Sequence, residues 1–285
     1  MNMTAQAHAK INLHLAVGPL RSDGYHHLQS LFARLELADV ITVDIEEGPF
    51  SVVVEGLGGV CEPGTDTMSR AARFWHEASG WDGRLTVSIE KNIPVQSGLG
   101  GGSSDAASLL SLLNTIKPLP EDRLHQIATR VGSDVPFFLF GGNAAIVEGR
   151  GERVTPIASR PLGVLLVMPR DFAVSTAEAY AHLDRLRAHE TPRFIDPVRL
   201  VDIYNKSCPM WVDSLYNDFY PTVAELPLYQ RLNALGDGLE GYATISGSGA
   251  CWYIVSEDDS CIREAEKSVQ DHVGDRVVCW QSRLL

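Results

Sequence analysis

Hydrophobic and polar positions along the chain predict strands and helices in irregular alternation. Residues 85–89 alternate as a strand, and leucines after residue 108 form one face of a helix. Residues 121–131 predict a second helix by the spacing of their apolar positions. Residues 162–168 form a continuous apolar run, typical of a strand buried on both faces. The irregular order favours an α+β fold over a doubly wound sheet.

The same patterns predict the remaining elements and one domain boundary. Further strands are predicted at residues 11–17, in two runs within 35–54 broken at 46–49, and at 143–148, 242–246, 251–255 and 276–280; further helices are predicted at 68–78 and near 176–188, 226–235 and 260–272. The segment 156–161 is polar and flanked by prolines, as domain linkers often are. We therefore predict two domains, residues 1–156 and 157–285.

A glycine-rich segment at residues 94–107, PVQSGLGGGSSDAA, lies between a predicted strand and a predicted helix. Glycine allows positive φ and a close approach of the backbone to a ligand, and a helix N-terminus attracts anions. We expect Ser103 and Ser104 at the helix cap, where a hydroxyl reaches backbone donors, a phosphate or a metal. A tight turn is the alternative, but the strand–loop–helix context favours a phosphate cradle.

This segment matches neither of the two common phosphate-binding motifs. A P-loop requires a Gly-Lys-Ser/Thr sequence at a spacing that is not found here. A dinucleotide-binding fingerprint requires a third glycine where this chain has Ser103.

Composition and charge argue against several classes of protein. The 285 residues are 45% hydrophobic and 21% charged, as expected of a soluble globular protein, and no apolar run approaches the roughly 20 residues that span a bilayer. The N-terminal residues lack the pattern of a secretory signal, so we expect a cytoplasmic, bacterial protein. A net charge of −12 argues against a nucleic-acid partner. Five scattered cysteines without a Cys-x-x-Cys pair predict reduced, mostly buried thiols.

Eight segments, in order along the chain, resemble the signature segments of the GHMP kinases. They are residues 9–13, 23–28, 98–104, 132–138, 149–152, 174–177, 217–219 and 246–249. The resemblance implies a two-domain fold, with an N-terminal domain like the second domain of ribosomal protein S5 and a ferredoxin-like C-terminal domain. It also implies that ATP and the acceptor bind in the cleft between the two domains.

The resemblance further implies an activity, since within this family the segments are most similar to the kinases of the non-mevalonate isoprenoid pathway. The expected reaction is the ATP- and Mg²⁺-dependent phosphorylation of the 2-hydroxyl of a small molecule, 4-diphosphocytidyl-2-C-methyl-D-erythritol. Another GHMP kinase with homoserine or mevalonate as acceptor is the nearest alternative. An inactive sensor that binds ATP is a second alternative, and a nucleic-acid module on an S5-like domain is a third.

The resemblance assigns the phosphate site and the catalytic pair. The residues expected to bind ATP are Pro94, Gly98, Leu99, Gly100, Gly101, Gly102, Ser103 and Ser104, and either serine is a candidate for Mg²⁺. Asp134 resembles the catalytic aspartate, which accepts or orients the acceptor hydroxyl, and Lys10 is expected to pair with it. From the local sequence alone, Asp134 is better explained as the cap of a short helix, and Lys10 as a solvated strand end.

The resemblance also assigns the acceptor site. Tyr25 and Tyr180 are expected to sandwich the cytosine ring, His26 to read its edge, and Asn12 to contact the acceptor. Core packing of a helix is the alternative for Tyr180, and a strand-end hydrogen bond is the alternative for Asn12. The segment 246–249 is expected to form a wall of the cleft. The chain departs from the family at Asp66, where an asparagine near the nucleoside is usual.

Overall fold

Six strands form the first sheet of the protein, whose computed structural model describes residues 1–59, 61–62, 64–186 and 193–285. The strand order is β3-β4-β2-β5-β6, with β1 paired along β2; the β3–β4 pair is parallel and the other pairs are antiparallel. The strands are β1 (Asn2–Leu20), β2 (His26–Glu46), β3 (Ser51–Glu55), β4 (Arg84–Glu90), β5 (Ala144–Gly149) and β6 (Arg153–Ile157).

Four helices pack against this sheet and bury its first core. They are α1 (Thr67–Ser79), α2 (Gly101–Ile116), α3 (Glu121–Val131) and α4 (Val135–Phe140). Trp75 of α1 and Phe137 of α4 are completely buried in this core. Asp66 caps α1, because its Oδ1 accepts a hydrogen bond of 2.7 Å from the backbone N–H of Ser69. The aspartate at this departure from the family therefore serves the helix cap.

The second half of the chain forms an antiparallel sheet of four strands in the order β10-β7-β9-β8. Its strands are β7 (Gly163–Pro169), β8 (Tyr242–Ile245), β9 (Trp252–Ser256) and β10 (Val277–Arg283), and its helices are α5 (Thr176–Leu186), α6 (Pro197–Tyr204), α7 (Pro227–Gly236) and α8 (Asp259–His272). Numbered within this half, the strands lie in the order 4-1-3-2, as in a ferredoxin-like fold. No helix of the described ranges has the length and apolar character needed to cross a membrane.

Strand β7 faces two different hydrophobic cores. Val164 and Leu166 pack in the core between the two sheets, together with Ile11 and Leu13 of β1. Residues 165 and 167 pack in the core beneath α7 and α8. Successive side chains of a strand point to opposite faces, so a strand between two cores needs apolar residues at every position. This explains the continuous apolar run at residues 162–168.

The structure differs from the sequence predictions at β1, β6 and α6. Strand β1 is much longer than the predicted 11–17, and the predicted linker 156–161 begins inside β6, where Pro156 is tolerated because β6 is an edge strand. Helix α6 was not predicted, although Asp196 and Pro197 provide an N-cap and a proline at the first turn. The end predicted near residue 188 for α5 lies outside the described residues. The domain division at residue 156 stays a prediction.

Candidate active site

One cavity of about 430 Å³ is lined by residues from both halves of the chain. The first half contributes side chains of β1, residues 133–134 and most of residues 94–103; we call residues 94–102 the glycine loop. The second half contributes Thr176 and Tyr180 of α5 and the turn between β8 and β9. Most of the expected phosphate residues, the expected catalytic pair and two of the expected acceptor residues, Asn12 and Tyr180, therefore lie around a single space.

The glycine loop adopts a backbone that other residues would strain. Gly98 and Gly100 have φ values of +79° and +73°, in the left-handed region. A Cβ on Gly98 would lie 2.1 Å from the carbonyl oxygen of Ser246, and one on Gly100 would lie 3.0 Å from Cε of Lys10. Leu99 is buried, and its carbonyl accepts a 2.9 Å hydrogen bond from the N–H of Lys10. The loop is thus held against β1.

The start of α2 corrects the expected position of the two serines. Gly100 is the N-cap, so Ser103 and Ser104 lie within the first turn. The hydroxyl of Ser104 is buried and donates a 2.6 Å hydrogen bond to the carbonyl of His8. Ser103 lines the cavity. Of the two candidates, only Ser103 is therefore placed to meet a phosphate or a metal, while Ser104 joins α2 to β1.

The described residues offer few protein ligands for a metal ion at this cavity. The described residues contain no group of three or more His, Cys, Asp or Glu side chains that could hold a metal ion by itself. Mg²⁺ commonly keeps several waters and uses one or two protein ligands together with substrate phosphates. The hydroxyl of Ser103 and the carboxylate of Asp134 are oxygen donors that fit this mode of binding.

Lys10 and Asp134 form an ion pair at the wall of the cavity. Nζ of Lys10 lies 3.4 Å from Oδ2 of Asp134 and donates hydrogen bonds to Oδ1 of Asn12 (2.7 Å) and the carbonyl of Gly98 (2.9 Å). Lys10 is buried rather than a solvated strand end. Asp134 is the N-cap residue of α4, yet its side chain makes no capping hydrogen bond. The carboxylate is therefore directed at the lysine and the cavity.

Asn12 holds the lysine in place. Its Nδ2 donates a 2.9 Å hydrogen bond to the hydroxyl of Ser30, and its Oδ1 accepts the bond from Lys10. Asn12 is buried and also lines the cavity. Its contact with the acceptor stays a prediction. The structure assigns it a role that the sequence did not predict, since it fixes the direction of the Lys10 ammonium group.

Two of the three expected base-binding residues stack on each other. The rings of His26 and Tyr180 are 4.8 Å apart and nearly parallel, and Nδ1 of His26 lies 2.7 Å from the carbonyl of Gly18. Burial foremost, with the charge of Asp134, raises the pKa of Tyr180, so its hydroxyl is neutral. Tyr25 is about half exposed and is not among the described residues that line the cavity. The sandwich around a base stays a prediction.

A buried ion cluster at the start of the glycine loop was not predicted. Nζ of Lys91 lies 2.5 Å from Oδ2 of Asp39 and 2.9 Å from Oδ2 of Asp105. Oδ1 of Asp39 accepts hydrogen bonds from the backbone N–H groups of residues 92 and 93. Burial, together with the charge of Asp39, raises the pKa of Asp105 to about 7 against the opposing charge of Lys91. The cluster joins β2, β4 and α2 where the loop begins, and no local pattern marks it.

Comparisons with known proteins find a matching family model and similar curated proteins. Residues 66–142 match the model of the GHMP kinase N-terminal domain. A 4-diphosphocytidyl-2-C-methyl-D-erythritol kinase of Anaeromyxobacter dehalogenans (strain 2CP-C) is 38% identical over 281 residues, which cover 95% of this chain and 86% of that protein. The enzyme of the same name from Geobacter sulfurreducens is 36% identical over 270 residues, 93% of this chain and 94% of that protein.

Solved structures show the same relationship. A crystal structure of 4-(cytidine 5'-diphospho)-2C-methyl-D-erythritol kinase matches with a TM-score of 0.76 and 31% identity over 99% of both chains. The mevalonate kinase of Methanococcus jannaschii matches with a TM-score of 0.71 but 13% identity over 100% of this chain and 99% of that one, which shows the fold alone.

The fold and the site together define a two-domain α+β small-molecule kinase of the GHMP class. The expected fold class is thereby confirmed. At these levels of identity and coverage, the chain belongs to the family of 4-diphosphocytidyl-2-C-methyl-D-erythritol kinases.

Proposed function

We propose that this chain transfers the γ-phosphoryl group of ATP to the 2-hydroxyl of 4-diphosphocytidyl-2-C-methyl-D-erythritol, in the non-mevalonate pathway to isoprenoid precursors. The observation that carries the proposal is the Lys10–Asp134 pair, which faces the glycine loop in one cavity. Both residues act in the proposed phosphoryl transfer. The identity of the acceptor is inferred from the family, whose members are named for this reaction.

The proposed reaction forms one bond to the γ-phosphorus and breaks another. The acceptor oxygen attacks the γ-phosphorus, the bond to the β-phosphate oxygen breaks, and ADP leaves. Asp134 accepts the proton of the acceptor hydroxyl, and the ammonium group of Lys10 stabilises negative charge on the transferring group. Phosphoryl transfer depends mainly on such positioning and charge stabilisation. Asn12 and the carbonyl of Gly98 hold the lysine for this task.

The phosphates of ATP would lie on the glycine loop and the first turn of α2. There the free N–H groups of the helix and its dipole favour an anion. Mg²⁺ would neutralise charge on the phosphates, with Ser103 as its protein ligand or phosphate contact. The pair of positive-φ glycines lets the backbone approach the phosphates closely. We further propose that the enzyme acts as a cytoplasmic protein.

The acceptor would enter beside α5. Tyr180 and His26 form an aromatic platform on which a cytosine ring can stack. Tyr25 lies on the turn between β1 and β2, where it would cover the other face of the base. Neither homoserine nor mevalonate contains an aromatic ring, so this platform is the feature that favours a cytidine-bearing acceptor.

The test is ADP release with ATP, Mg²⁺ and each of three acceptors: the cytidylylated methylerythritol, homoserine and mevalonate. We expect turnover with the first acceptor alone, and its loss in Asp134→Asn, which preserves shape but removes the base. Turnover with another acceptor would reject the assignment of the base-binding residues. ATP binding without turnover of any acceptor would favour the inactive sensor.

A further inference from the structure

The side chain of Arg150 lies next to Gly151, which lines the cavity, and it forms no ion pair with a carboxylate of the described residues. Its guanidinium carbon is 3.5 Å from the centre of the Tyr25 ring. Its Nε is buried and makes no hydrogen bond with any described residue. The neighbouring carboxylate of Glu152 is used elsewhere, since it accepts a 2.5 Å hydrogen bond from the backbone N–H of Arg150. Within the part of the chain that the structure describes, this guanidinium contacts an aromatic ring but no carboxylate, so it is a cation available to a ligand.

The backbone fixes this arginine next to the catalytic residues. Arg150 lies on the turn between β5 and β6, followed by Gly151, which lines the cavity. Gly151 has a φ of +112°, and a Cβ there would lie 2.0 Å from the carbonyl oxygen of Ser133. The turn is thus packed against the residue that precedes Asp134. Arg150 therefore lies one residue from a lining residue of the cavity, and its guanidinium contacts the expected base-binding residue Tyr25.

The charges around the cavity indicate that this cation binds an anionic ligand. The two cationic side chains among the described lining residues, Lys10 and Lys91, already lie within ion-pair distance of carboxylates. The whole chain carries a net charge of −12. An acceptor with a nucleoside diphosphate brings further negative charge into this environment. A cation beyond the two lysines would favour its binding.

We propose that Arg150 binds the diphosphate of the acceptor and places its polyol end at Asp134. This inference rests on the proposed function. In the structure the guanidinium lies over the ring of Tyr25, where it screens one aromatic face. Contact with a diphosphate replaces a cation–π interaction with stronger charge-assisted hydrogen bonds, for which a planar guanidinium is well shaped. The same movement frees that face of Tyr25 for the base.

The experiment compares the binding of cytidine and of cytidine diphosphate by calorimetry, with the ATP site filled by a non-hydrolysable ATP analogue. We expect the wild-type protein to prefer the diphosphate by roughly tenfold or more, the effect of one or two charge-assisted hydrogen bonds. Arg150→Gln should abolish this preference without lowering the affinity for cytidine or for the ATP analogue. Arg150→Lys should retain part of it.

Arg153→Gln is the matched control, because Arg153 begins β6 directly after this turn, is exposed and carries the same charge. It should keep the wild-type preference. The proposal is overturned if Arg150→Gln keeps the full preference, if it weakens cytidine and cytidine diphosphate equally, or if Arg153→Gln loses as much. Turnover of the acceptor by the wild-type protein tests the proposed function separately, so the failure of either statement is distinguishable from that of the other.

Discussion

Replacing Gly98 by alanine is expected to disable the glycine loop while leaving the fold in place. The new Cβ would lie 2.1 Å from the carbonyl oxygen of Ser246, a backbone atom that cannot rotate away. One of the two backbones must therefore move by about 1 Å, and a displacement of that size in a reacting site can cost about 100-fold in rate. The positive φ of residue 98 adds a strain of about 1–2 kcal/mol.

The assay separates these two costs by comparing Gly98→Ala with Gly274→Ala. Gly274 also has a positive φ, +65°, but a Cβ there meets nothing within 4 Å. Both variants should therefore lose a few degrees of melting temperature, whereas only Gly98→Ala should lose about 100-fold in kcat/KM for ATP. Equal kcat/KM values for the two variants, within about threefold, would refute the steric argument.

Three further predictions concern the residues around the loop. Lys10→Met should lower kcat by about 100-fold or more, because it removes a stabilising charge from the transferring group, and steady-state kinetics with a melting curve would detect this. Ser103→Ala should raise the Mg²⁺ concentration needed for half-maximal rate, whereas Ser104→Ala should leave it unchanged and cost about 1 kcal/mol of stability. Because burial raises the pKa of Asp105 to about 7 in the folded state, the native protein holds a proton that the unfolded chain has lost. Stability should thus fall as pH rises from 4 to 7 more steeply in the wild type than in Asp105→Asn, in melting curves recorded across that range.

The sequence predicted the elements whose signals are local. The glycine loop, α2 and α3 each carry their own pattern of glycine or apolar spacing, and α3 has the predicted bounds of residues 121–131. Strand β6 was missed because Pro156 argues against a strand, and only its position at the sheet edge makes the proline acceptable.

The contacts of the site were beyond local patterns. Lys10 and Asp134 were paired through the family resemblance, since nothing near either residue in the sequence points to the other. Asn12 was assigned to the acceptor, yet its hydrogen bonds hold Lys10 and Ser30. The motif makes Ser103 and Ser104 equal candidates for phosphate or Mg²⁺ binding, because the two are adjacent serines. In a helix, however, adjacent side chains point in different directions. Such roles depend on long-range packing.

The core between the two sheets has a consequence for folding cooperativity. Ile11 and Leu13 of the first sheet share this core with Val164 and Leu166 of β7, and all four are completely buried. A fragment ending after β6 would expose its share of the core to water, at roughly 25 cal/mol for each Å² of apolar surface. The two halves should therefore unfold in one transition, and the first half expressed alone should aggregate. The second half of the chain is thus expected to keep the first half soluble as well as to complete its active site.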